Sequence, residues 1–506
     1  MITEELQFRI RTELGHVPTT EQERAIDVFA QFLTDSTPQT AMVLRGSAGT
    51  GKTTLASAIV RALLGLKQKL VLMAPTGRAA KVFSLYAGDP AYTIHRCIYR
   101  QKTAADLSAF NLSDNLHTDT LFLVDEASMV SHGTDTIALR GTAEFGSGDL
   151  LDDLIHYIYS ARNCRMLLIG DGAQLPPVGE TEAPALRGGV LRAYGLKVYE
   201  TDLNEVLRQS RESGVLWNAT MVRQMIDEVR QNGDGSCLPH LRLKGFADIQ
   251  AVPGDELIES LAGSYSRVGN DETIVVTRSN KRANIYNLGI RNTVLDREEE
   301  LTRGDLLMVV KNNYRPTPNS SPTKGGPNSP ALETVQSPLP QEGEGGRPSF
   351  IANGDRCVVQ RIRGEEELYG FRFAEAALVF PDYDDYELTC KVMLDTLSAE
   401  APALTREQQE QLYANIMADY EDLPLKADRL KALKTDQYYN ALQIKYGYAV
   451  TCHKAQGGQW AHVYIDQGYM TEDMFTPDYL HWLYTALTRA TERVFLVNWP
   501  AAQVET

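Results

Sequence analysis

Residues 46–53 read Gly46-Ser47-Ala48-Gly49-Thr50-Gly51-Lys52-Thr53, a complete G-x-x-x-x-G-K-[ST] phosphate loop. The loop follows an aliphatic run at 41–44 and opens a helix-like stretch at 54–64. In this setting the glycines let backbone N–H groups face a phosphate, and the helix N-terminus adds its positive end. Lys52 then reaches the β- and γ-phosphates, while Thr53 is placed to ligate Mg²⁺. The sequence therefore predicts a nucleoside triphosphate and Mg²⁺ site formed by residues 46–53 together with Thr54.

A second pattern indicates what happens to the bound nucleotide. The apolar run 121–124 ends in Asp125-Glu126. Carboxylates at the carboxyl end of a strand lie beside the ligand crevice of an open α/β sheet. We expect Asp125 to hold Mg²⁺ and Glu126 to polarise the attacking water as a general base. Adjacent acids also occur as solvated loop charges, but beside an upstream phosphate loop they favour a hydrolytic site.

Composition bounds the class of protein. The chain has 506 residues, of which 43% are hydrophobic, which is enough for three or four domains. It contains no run of eighteen apolar residues and its N-terminus lacks the apolar segment of a signal peptide, so we expect no membrane association. Six cysteines without a C-x-x-C pair fit a reducing, cytoplasmic location. The net charge of −16 argues against general polyanion binding, so any nucleic-acid track must be local.

Strand-like runs alternate with helical patterns in two sets, which predicts an α/β fold with two lobes built on mostly parallel sheets. The first set is Met42–Leu44, Leu70–Met73, Leu121–Val124 and Met166–Ile169. The second set is Thr273–Thr277, His462–Asp466 and Val494–Asn498.

A β-rich insertion interrupts the second lobe. Leu301–Val310 and Phe350–Arg363 resemble strands, Asn353-Gly354-Asp355 is a turn signal, and residues 404–434 have a helical composition. Residues 315–349 are rich in Pro, Gly and Ser, which predicts a disordered loop. The predicted division is a first lobe at 1–204, a second lobe at 205–299 and 438–506, and an insertion with a helical tail at 300–437.

Further polar tracts follow the strands. Gly170-Asp171 leads to Gln174, which is placed to sense the γ-phosphate. Arg208 lies where the second lobe should begin, and Arg489 lies near the end of the chain. An arginine from a facing lobe stabilises the charge of a transferring phosphoryl group. Each tract alone has an ordinary surface explanation, whereas their ordered combination favours a nucleotide-driven motor.

The ordered set resembles the superfamily 1 helicases, specifically the RecD-like members of the 1B branch. The resemblance is carried by GSAGTGKT from residue 46, APTGRAA from 74, TIH from 93, LVDEAS from 123, GDGAQLPPV from 170, LNEVLRQ from 203, VTCHKAQG from 450 and YTALTRA from 484. It implies two RecA-like lobes with ATP between them, single-stranded DNA across their tops, and a small SH3-like β-barrel in the second lobe.

The resemblance also implies roles for individual residues. Gln22 resembles the glutamine that reads adenine, and Arg208 and Arg489 resemble the two γ-phosphate arginines. The positions that resemble DNA contacts are Pro75, Thr76, Gly77, Arg78, Thr93, His95, Thr451, His453 and Lys454. Hydroxyls, backbone N–H groups and a few cations hold phosphates without reading bases, which is compatible with an acidic protein.

Some features depart from the family pattern. Residues 96–119, where the family carries the β-hairpin pin that splits the duplex, are short, so we expect weakened unwinding. Gln22 lies close to the start and the chain ends soon after the last strand, so we expect neither an N-terminal accessory domain nor a C-terminal nuclease domain.

The sequence thus predicts an ATP-dependent DNA helicase that moves 5′ to 3′ on single-stranded DNA and unwinds duplex junctions in DNA repair, recombination or replication. Three alternatives stay open: a single-stranded-DNA translocase that unwinds weakly, the motor subunit of a recombination nuclease complex, and an RNA helicase. Candidate protein partners are a nuclease and a single-strand-binding protein.

Overall fold

The computed structural model describes residues 2–103, 106–133, 144–205, 212–232, 237–311, 313, 351–383 and 385–505. The α-helices are α1 (Ile2–Leu14), α2 (Thr20–Thr34), α3 (Lys52–Gly65), α4 (Gly77–Ala87), α5 (Ile94–Ile98), α6 (Leu150–Tyr159), α7 (Gly188–Ala193), α8 (Gly214–Asn232), α9 (Leu257–Val268), α10 (Asn280–Gly289), α11 (Asp395–Ser398), α12 (Arg406–Asp419), α13 (Lys426–Thr435), α14 (Cys452–Ala455) and α15 (Pro477–Leu487). The strands are β1 (Thr40–Gly46), β2 (Lys69–Ala74), β3 (Ala91–Thr93), β4 (Tyr99–Thr103), β5 (Asp106–Leu112), β6 (Thr120–Val124), β7 (Glu144–Phe145), β8 (Arg165–Gly170), β9 (Lys197–Leu203), β10 (Ile249–Val252), β11 (Thr273–Thr277), β12 (Leu306–Val309), β13 (Arg356–Leu368), β14 (Phe371–Phe380), β15 (Tyr386–Met393), β16 (Leu442–Tyr446), β17 (Ala449–Thr451), β18 (Trp460–Asp466) and β19 (Ala490–Val497).

The first lobe is built on a six-stranded parallel sheet in the order β3-β2-β6-β8-β1-β9. Its central strands are mostly apolar and buried because helices cover both faces, as parallel sheets require. One face packs on α1, α2 and α3, and the other packs on α5 and α6. All four strands predicted for this lobe are present, and the sheet adds β3 and β9 at its two edges.

The second lobe has a five-stranded parallel sheet in the order β10-β19-β18-β11-β17. Helices α8 and α15 pack together on one face, and the other face meets α9 and a core shared with the barrel. The predicted strands β11, β18 and β19 are present, and β10 and β17 are additional. Among the helices of the described residues, none has the length and apolar character needed to span a bilayer.

Strands β12, β13, β14, β15 and β16 close into a small barrel inserted in the second lobe. The predicted fold class of two α/β lobes with a small barrel is therefore confirmed. Strand Leu442–Tyr446, however, belongs to the barrel although it lies past residue 437, where the sequence division ended the insertion. Its pairing partners, β12 and β15, are distant in sequence, so no local signal marks it. We propose that the second lobe resumes at β17; the loop predicted at 315–349 lies outside the described residues.

The segment predicted as a short pin contains a β-hairpin. Strands β4 and β5 pair antiparallel, from Tyr99 opposite Leu112 to Thr103 opposite Asp106, and β7 adds a third strand parallel to β5. The described part of residues 96–119 therefore includes an antiparallel strand pair that follows α5. The expectation of weakened unwinding stays a prediction.

A buried ion pair joins the barrel to the second lobe. Arg291 donates to both carboxylate oxygens of Asp305, at 3.0 and 2.9 Å, and Arg297 donates to the same carboxylate at 2.8 Å. The backbone N–H of Thr302 and the hydroxyl of Tyr448 donate to it as well. Burial opposes ionisation of Asp305, but these hydrogen bonds outweigh it and lower the pKa of the carboxyl. The network fixes the chain just before the first barrel strand.

We expect Asp305→Ala to destabilise the protein by about 3–5 kcal/mol, because it leaves Arg291 buried without a counter-charge. The measurement is calorimetric unfolding of the transition that includes the barrel. A matched control is Glu410→Ala, which removes an exposed pair with Arg406 and should cost less than about 1 kcal/mol. Because the pKa of Asp305 is lowered in the folded state, its contribution should be lost as pH falls through that pKa. Equal effects of the two substitutions would contradict the anchoring role.

Candidate functional site

The phosphate loop connects β1 to α3, and its backbone is shaped by two glycines. Gly49 and Gly51 have φ angles of +77° and +76°, which side chains with a Cβ adopt only at a cost. Gly51 is the N-cap of α3 and makes no side-chain cap hydrogen bond, so the first N–H groups of the helix face the loop cavity. Lys52 Nζ donates to the Gly46 carbonyl at 3.2 Å. The loop therefore has the shape of an anion-binding site, and the Lys52 ammonium contacts the backbone of the loop.

Gln22 supports this loop from α2. It forms a capping box with Thr19, in which the Gln22 side chain accepts from the Thr19 N–H at 3.1 Å. Its side-chain amide also donates to the Thr50 carbonyl at 3.2 Å. The glutamine predicted to read adenine is thus fully buried beneath the loop, with both ends of its amide engaged by protein.

Asp125 and Glu126 follow β6, with the backbone of Glu126 in the left-handed region at φ +50°. Burial and the charge of Glu126 raise the pKa of Asp125 to about 6, against the opposing effect of Lys52. One carboxylate oxygen of Glu126 is buried and has no hydrogen-bond partner. Such an atom suits a bound water, as the predicted general base requires.

One cleft of about 310 Å³ gathers residues from both lobes. Thr53, Asp125 and Glu126 line it from the first lobe, and Gly457 and Arg489 line it from the second. The structure thus brings together the predicted metal ligands, general base and arginine. Among the described residues, no three His, Cys, Asp or Glu side chains cluster closely enough to bind a metal alone. The donors present fit Mg²⁺ held by one hydroxyl, one carboxylate and nucleotide phosphates.

Arg489 is held by the second lobe. Its guanidinium donates to the carbonyls of Thr485 and Gly458 at 3.0 and 3.2 Å and to the Thr488 hydroxyl at 3.1 Å. It is 3% exposed and carries no salt bridge among the described residues, so its charge is not neutralised by a carboxylate. The second predicted arginine, Arg208, lies outside the described residues.

The loop after β8 forms a seam with the second lobe. Thr485 Oγ1 accepts from the Leu175 N–H at 2.7 Å, and the Gln456 amide donates to the Leu175 carbonyl at 2.7 Å. Gln174 is buried within this seam, and its side-chain oxygen has no hydrogen-bond partner. The predicted γ-phosphate sensor is therefore held where the two lobes meet.

Two residues of this interface were missed by sequence reasoning. Arg223, in the middle of α8, donates to the Ser47 hydroxyl at 2.5 Å. Tyr484, on α15, accepts from the Ala48 N–H at 3.0 Å and donates to Asp171 at 2.6 Å. Tyr484 opens the YTALTRA tract, which was a signal of its importance, whereas an arginine within a long helix carries no such signal.

The predicted DNA contacts of the first lobe follow β2 and β3, with Pro75 and Thr76 leading into α4. Thr76 and Thr93 are the N-caps of α4 and α5. Burial lowers the pKa of His95 to about 4, so its imidazole is neutral at pH 7. Arg78 turns toward the second lobe, where it donates to the Gln459 carbonyl at 2.6 Å and lies 4.3 Å from the centre of the Trp460 ring.

The predicted DNA contacts of the second lobe lie at the end of β17 and in α14. Thr451 is the N-cap of α14, His453 is exposed, and burial lowers the pKa of Lys454 to about 8. Gly457 brings this segment against α4, since a Cβ there would lie 3.2 Å from the Thr76 hydroxyl. The predicted DNA-contacting segments of the two lobes therefore meet at one point.

The barrel also contacts α4, close to the point where the predicted DNA-contacting segments meet. A Cβ on Gly77 would collide with the Asp355 carboxylate, and Lys81 Nζ donates to the Pro381 carbonyl at 2.8 Å. Only glycine fits between the start of α4 and the barrel.

Comparison with known proteins gives two family matches and several relatives. Residues 19–236 match the family described as AAA domain, and residues 446–497 match the family described as UvrD-like helicase C-terminal domain. An uncharacterized protein of Acanthamoeba polyphaga mimivirus is 23% identical over 94% of this chain and 98% of its own length. The ATP-dependent DNA helicase dda of Enterobacteria phage T4 is 23% identical over 53% of this chain and 56% of its own. The ATP-dependent RecD2 DNA helicase of Deinococcus radiodurans is 30% identical over 35% of this chain and 20% of its own. The chain thus spans about half the length of the dda helicase and about a fifth of the length of the RecD2 helicase. Among solved structures, Pif1 helicase from Candida albicans has a TM-score of 0.42 at 15% identity, covering 97% of this chain and 96% of that one.

We expect Lys52→Ala to abolish ATP hydrolysis and weaken nucleotide binding, because the cradle loses its cation. Glu126→Gln should bind nucleotide normally and stall hydrolysis, since only the water-activating group is lost. Steady-state hydrolysis and titration with a fluorescent nucleotide measure the two effects. Parental turnover in Glu126→Gln would contradict the general-base assignment.

Proposed function

We propose that this chain, a RecD-like helicase of superfamily 1B, uses ATP hydrolysis to move 5′ to 3′ along single-stranded DNA and to unwind the duplex ahead of it. The proposal rests on one observation: the nucleotide cleft and the predicted DNA-contacting segments lie at the same interface between the two lobes. The cleft joins Thr53, Asp125 and Glu126 to Arg489 across the lobes, and the predicted DNA segments touch across the same lobes at Thr76 and Gly457. A change in the separation of the lobes at the nucleotide cleft therefore also changes the contact between the predicted DNA segments.

The residues of the cleft suggest how hydrolysis is assisted. Lys52 exchanges the Gly46 carbonyl for the β- and γ-phosphates, and Glu126 orients the attacking water with its unpartnered oxygen. Thr53 and Asp125 would hold Mg²⁺, which would supply charge neutralisation at the phosphates when bound. Arg489 exchanges carbonyl partners for the γ-phosphate, which draws the second lobe toward the first.

Movement along DNA follows from alternating lobe closure. ATP favours the closed arrangement because Arg489 and the phosphate loop then share one ligand, and product release removes that preference. Contacts on α4 and α14 hold the strand in turn. Polarity rests on resemblance to the 1B branch, as do a role in DNA repair, recombination or replication and the nuclease and single-strand-binding partners. The cytoplasmic location rests on the cysteine pattern.

Arg489→Ala should lower the rate of ATP hydrolysis by orders of magnitude, since arginine fingers contribute ~10³–10⁵. The affinity for nucleotide should fall much less, because the phosphate loop is intact. Single-turnover hydrolysis with single-stranded DNA present is the measurement, with circular dichroism to check the fold. An unchanged hydrolysis rate would remove Arg489 from the catalytic group.

Direction is tested with 5′-tailed and 3′-tailed DNA duplexes under identical ATP and Mg²⁺. We expect unwinding of the 5′-tailed substrate alone, with Glu126→Gln as the inactive control. Preferential unwinding of the 3′-tailed duplex would contradict the proposed polarity.

The same assay separates the alternatives. Displacement of streptavidin from a biotinylated strand without strand separation would indicate a translocase that unwinds weakly. Activity that appears only with a co-purifying nuclease would indicate a motor subunit. ATPase stimulation by RNA but not by DNA would indicate an RNA helicase.

A further inference from the structure

Two side chains of the second lobe hold the phosphate loop of the first. Arg223 reaches from α8 to the hydroxyl of Ser47, and Tyr484 reaches from α15 to the N–H of Ala48. These are the second and third residues of the loop, directly before Gly49–Thr53, whose N–H groups face the phosphates in such loops. Both side chains therefore hold the base of the loop and leave its anion-binding part open.

Among the described residues, the hydrogen bonds of Arg223 have neutral acceptors, and a carboxylate forms a longer ion pair with it. Besides Ser47, its guanidinium donates to the side-chain oxygen of Asn204, and the carboxylate of Asp227 is 3.9 Å away. The side chain is 23% exposed, so the guanidinium is partly desolvated. A charged donor on a neutral hydroxyl makes a stronger hydrogen bond than a neutral pair does. The arginine thus ties α8 both to the loop and to the chain segment that leaves β9.

The hydroxyl of Tyr484 both donates and accepts a hydrogen bond. Its proton is donated to Asp171 at 2.6 Å, and a lone pair accepts from Ala48. The ring is 1% exposed. Asp171 begins the loop that contains Gln174, so a single oxygen joins the phosphate loop, the predicted γ-phosphate sensor and the second lobe.

Helices α8 and α15 pack against each other in one core. A displacement of the phosphate loop on nucleotide binding would therefore move both helices together. We propose that Arg223 and Tyr484 form an interlobe clamp, a pair of positioning residues that transmits the state of the phosphate loop to the second lobe. The proposal deepens the proposed function and rests on it for its role in movement along DNA.

The first experiment measures ATP hydrolysis at saturating single-stranded DNA. Arg223→Gln should lower kcat about tenfold and leave KM for ATP within about twofold, and Arg223→Lys should recover part of the loss because it keeps the charge and one donor. Tyr484→Phe should lower kcat in the same way. The control is Arg230→Gln on the same α8, which removes an exposed contact with Glu182 of the first lobe at 3.2 Å and should behave as the parental protein. Equal losses in Arg223→Gln and Arg230→Gln would show that α8 only holds the lobes together, which would overturn the clamp.

The second experiment is a double-mutant cycle between the two ends of the clamp. Ser47→Ala removes the acceptor and keeps the loop backbone, so Ser47→Ala with Arg223→Gln should be no slower than Arg223→Gln alone. Additive losses would overturn the direct coupling.

The third experiment needs no DNA. Hydrogen exchange, with and without a non-hydrolysable ATP analogue, should show nucleotide-dependent protection of α8 and α15 in the parental protein. That protection should be lost in Arg223→Gln and Tyr484→Phe while the analogue still binds. Unchanged protection in both variants would overturn the clamp. Failure of DNA to stimulate the parental ATPase would instead overturn the proposed function, so the two failures are distinguishable.

Discussion

Parallel strands deliver their carboxyl ends to one edge of a sheet, and in this protein two such edges face each other. The phosphate loop follows β1, Asp125 follows β6, and Gln174 follows β8, so one edge collects the groups that handle nucleotide. The facing edge supplies Thr451 and the helix that carries Lys454. The residues that line the cleft face each other across the space between these edges, and this explains why one cleft contains residues separated by more than four hundred positions.

The contacts across that space combine hydrogen bonds with the apolar packing of Ala173 and Leu175 in the core of the second lobe. The seam uses backbone groups of Leu175, while Arg78 uses a backbone carbonyl and the face of Trp460. Hydrogen bonds of this kind exchange partners at little net cost because each broken bond is replaced by another. The exchangeable hydrogen bonds suit lobes that change their separation, whereas the apolar packing of Ala173 and Leu175 favours the closed arrangement.

The barrel adds a second constraint. Asp305 anchors it rigidly to the second lobe, yet Asp355 and Pro381 rest against α4 of the first. The barrel thus moves with one lobe and touches the other at the start of a predicted DNA-contacting helix. Separation of the lobes must slide or break the contact of Lys81 with Pro381.

Sequence reasoning recovered what is written locally and missed what depends on distant pairing. The strand 273–277 could be predicted because an apolar run buried on both faces is continuous, and the phosphate loop could be predicted because its glycines and lysine are adjacent. Strand Leu442–Tyr446 was assigned to the wrong unit because its barrel neighbours are remote in the chain. The contact of Arg223 with Ser47 spans 176 positions and has no local pattern, so only the folded chain reveals it.

One small pairing in the barrel has a practical use. Asn313 and Ile351 exchange both of their backbone hydrogen bonds, at 2.7 and 2.8 Å, so these two positions are held side by side as one hydrogen-bonded antiparallel pair. The Cα atoms of such a pair lie about 5.5 Å apart. A protein domain with closely spaced termini, such as a fluorescent reporter, can be inserted between these two residues without separating the strands of the barrel. The barrel then becomes an attachment point for a reporter, joined to the second lobe through the Asp305 ion pair.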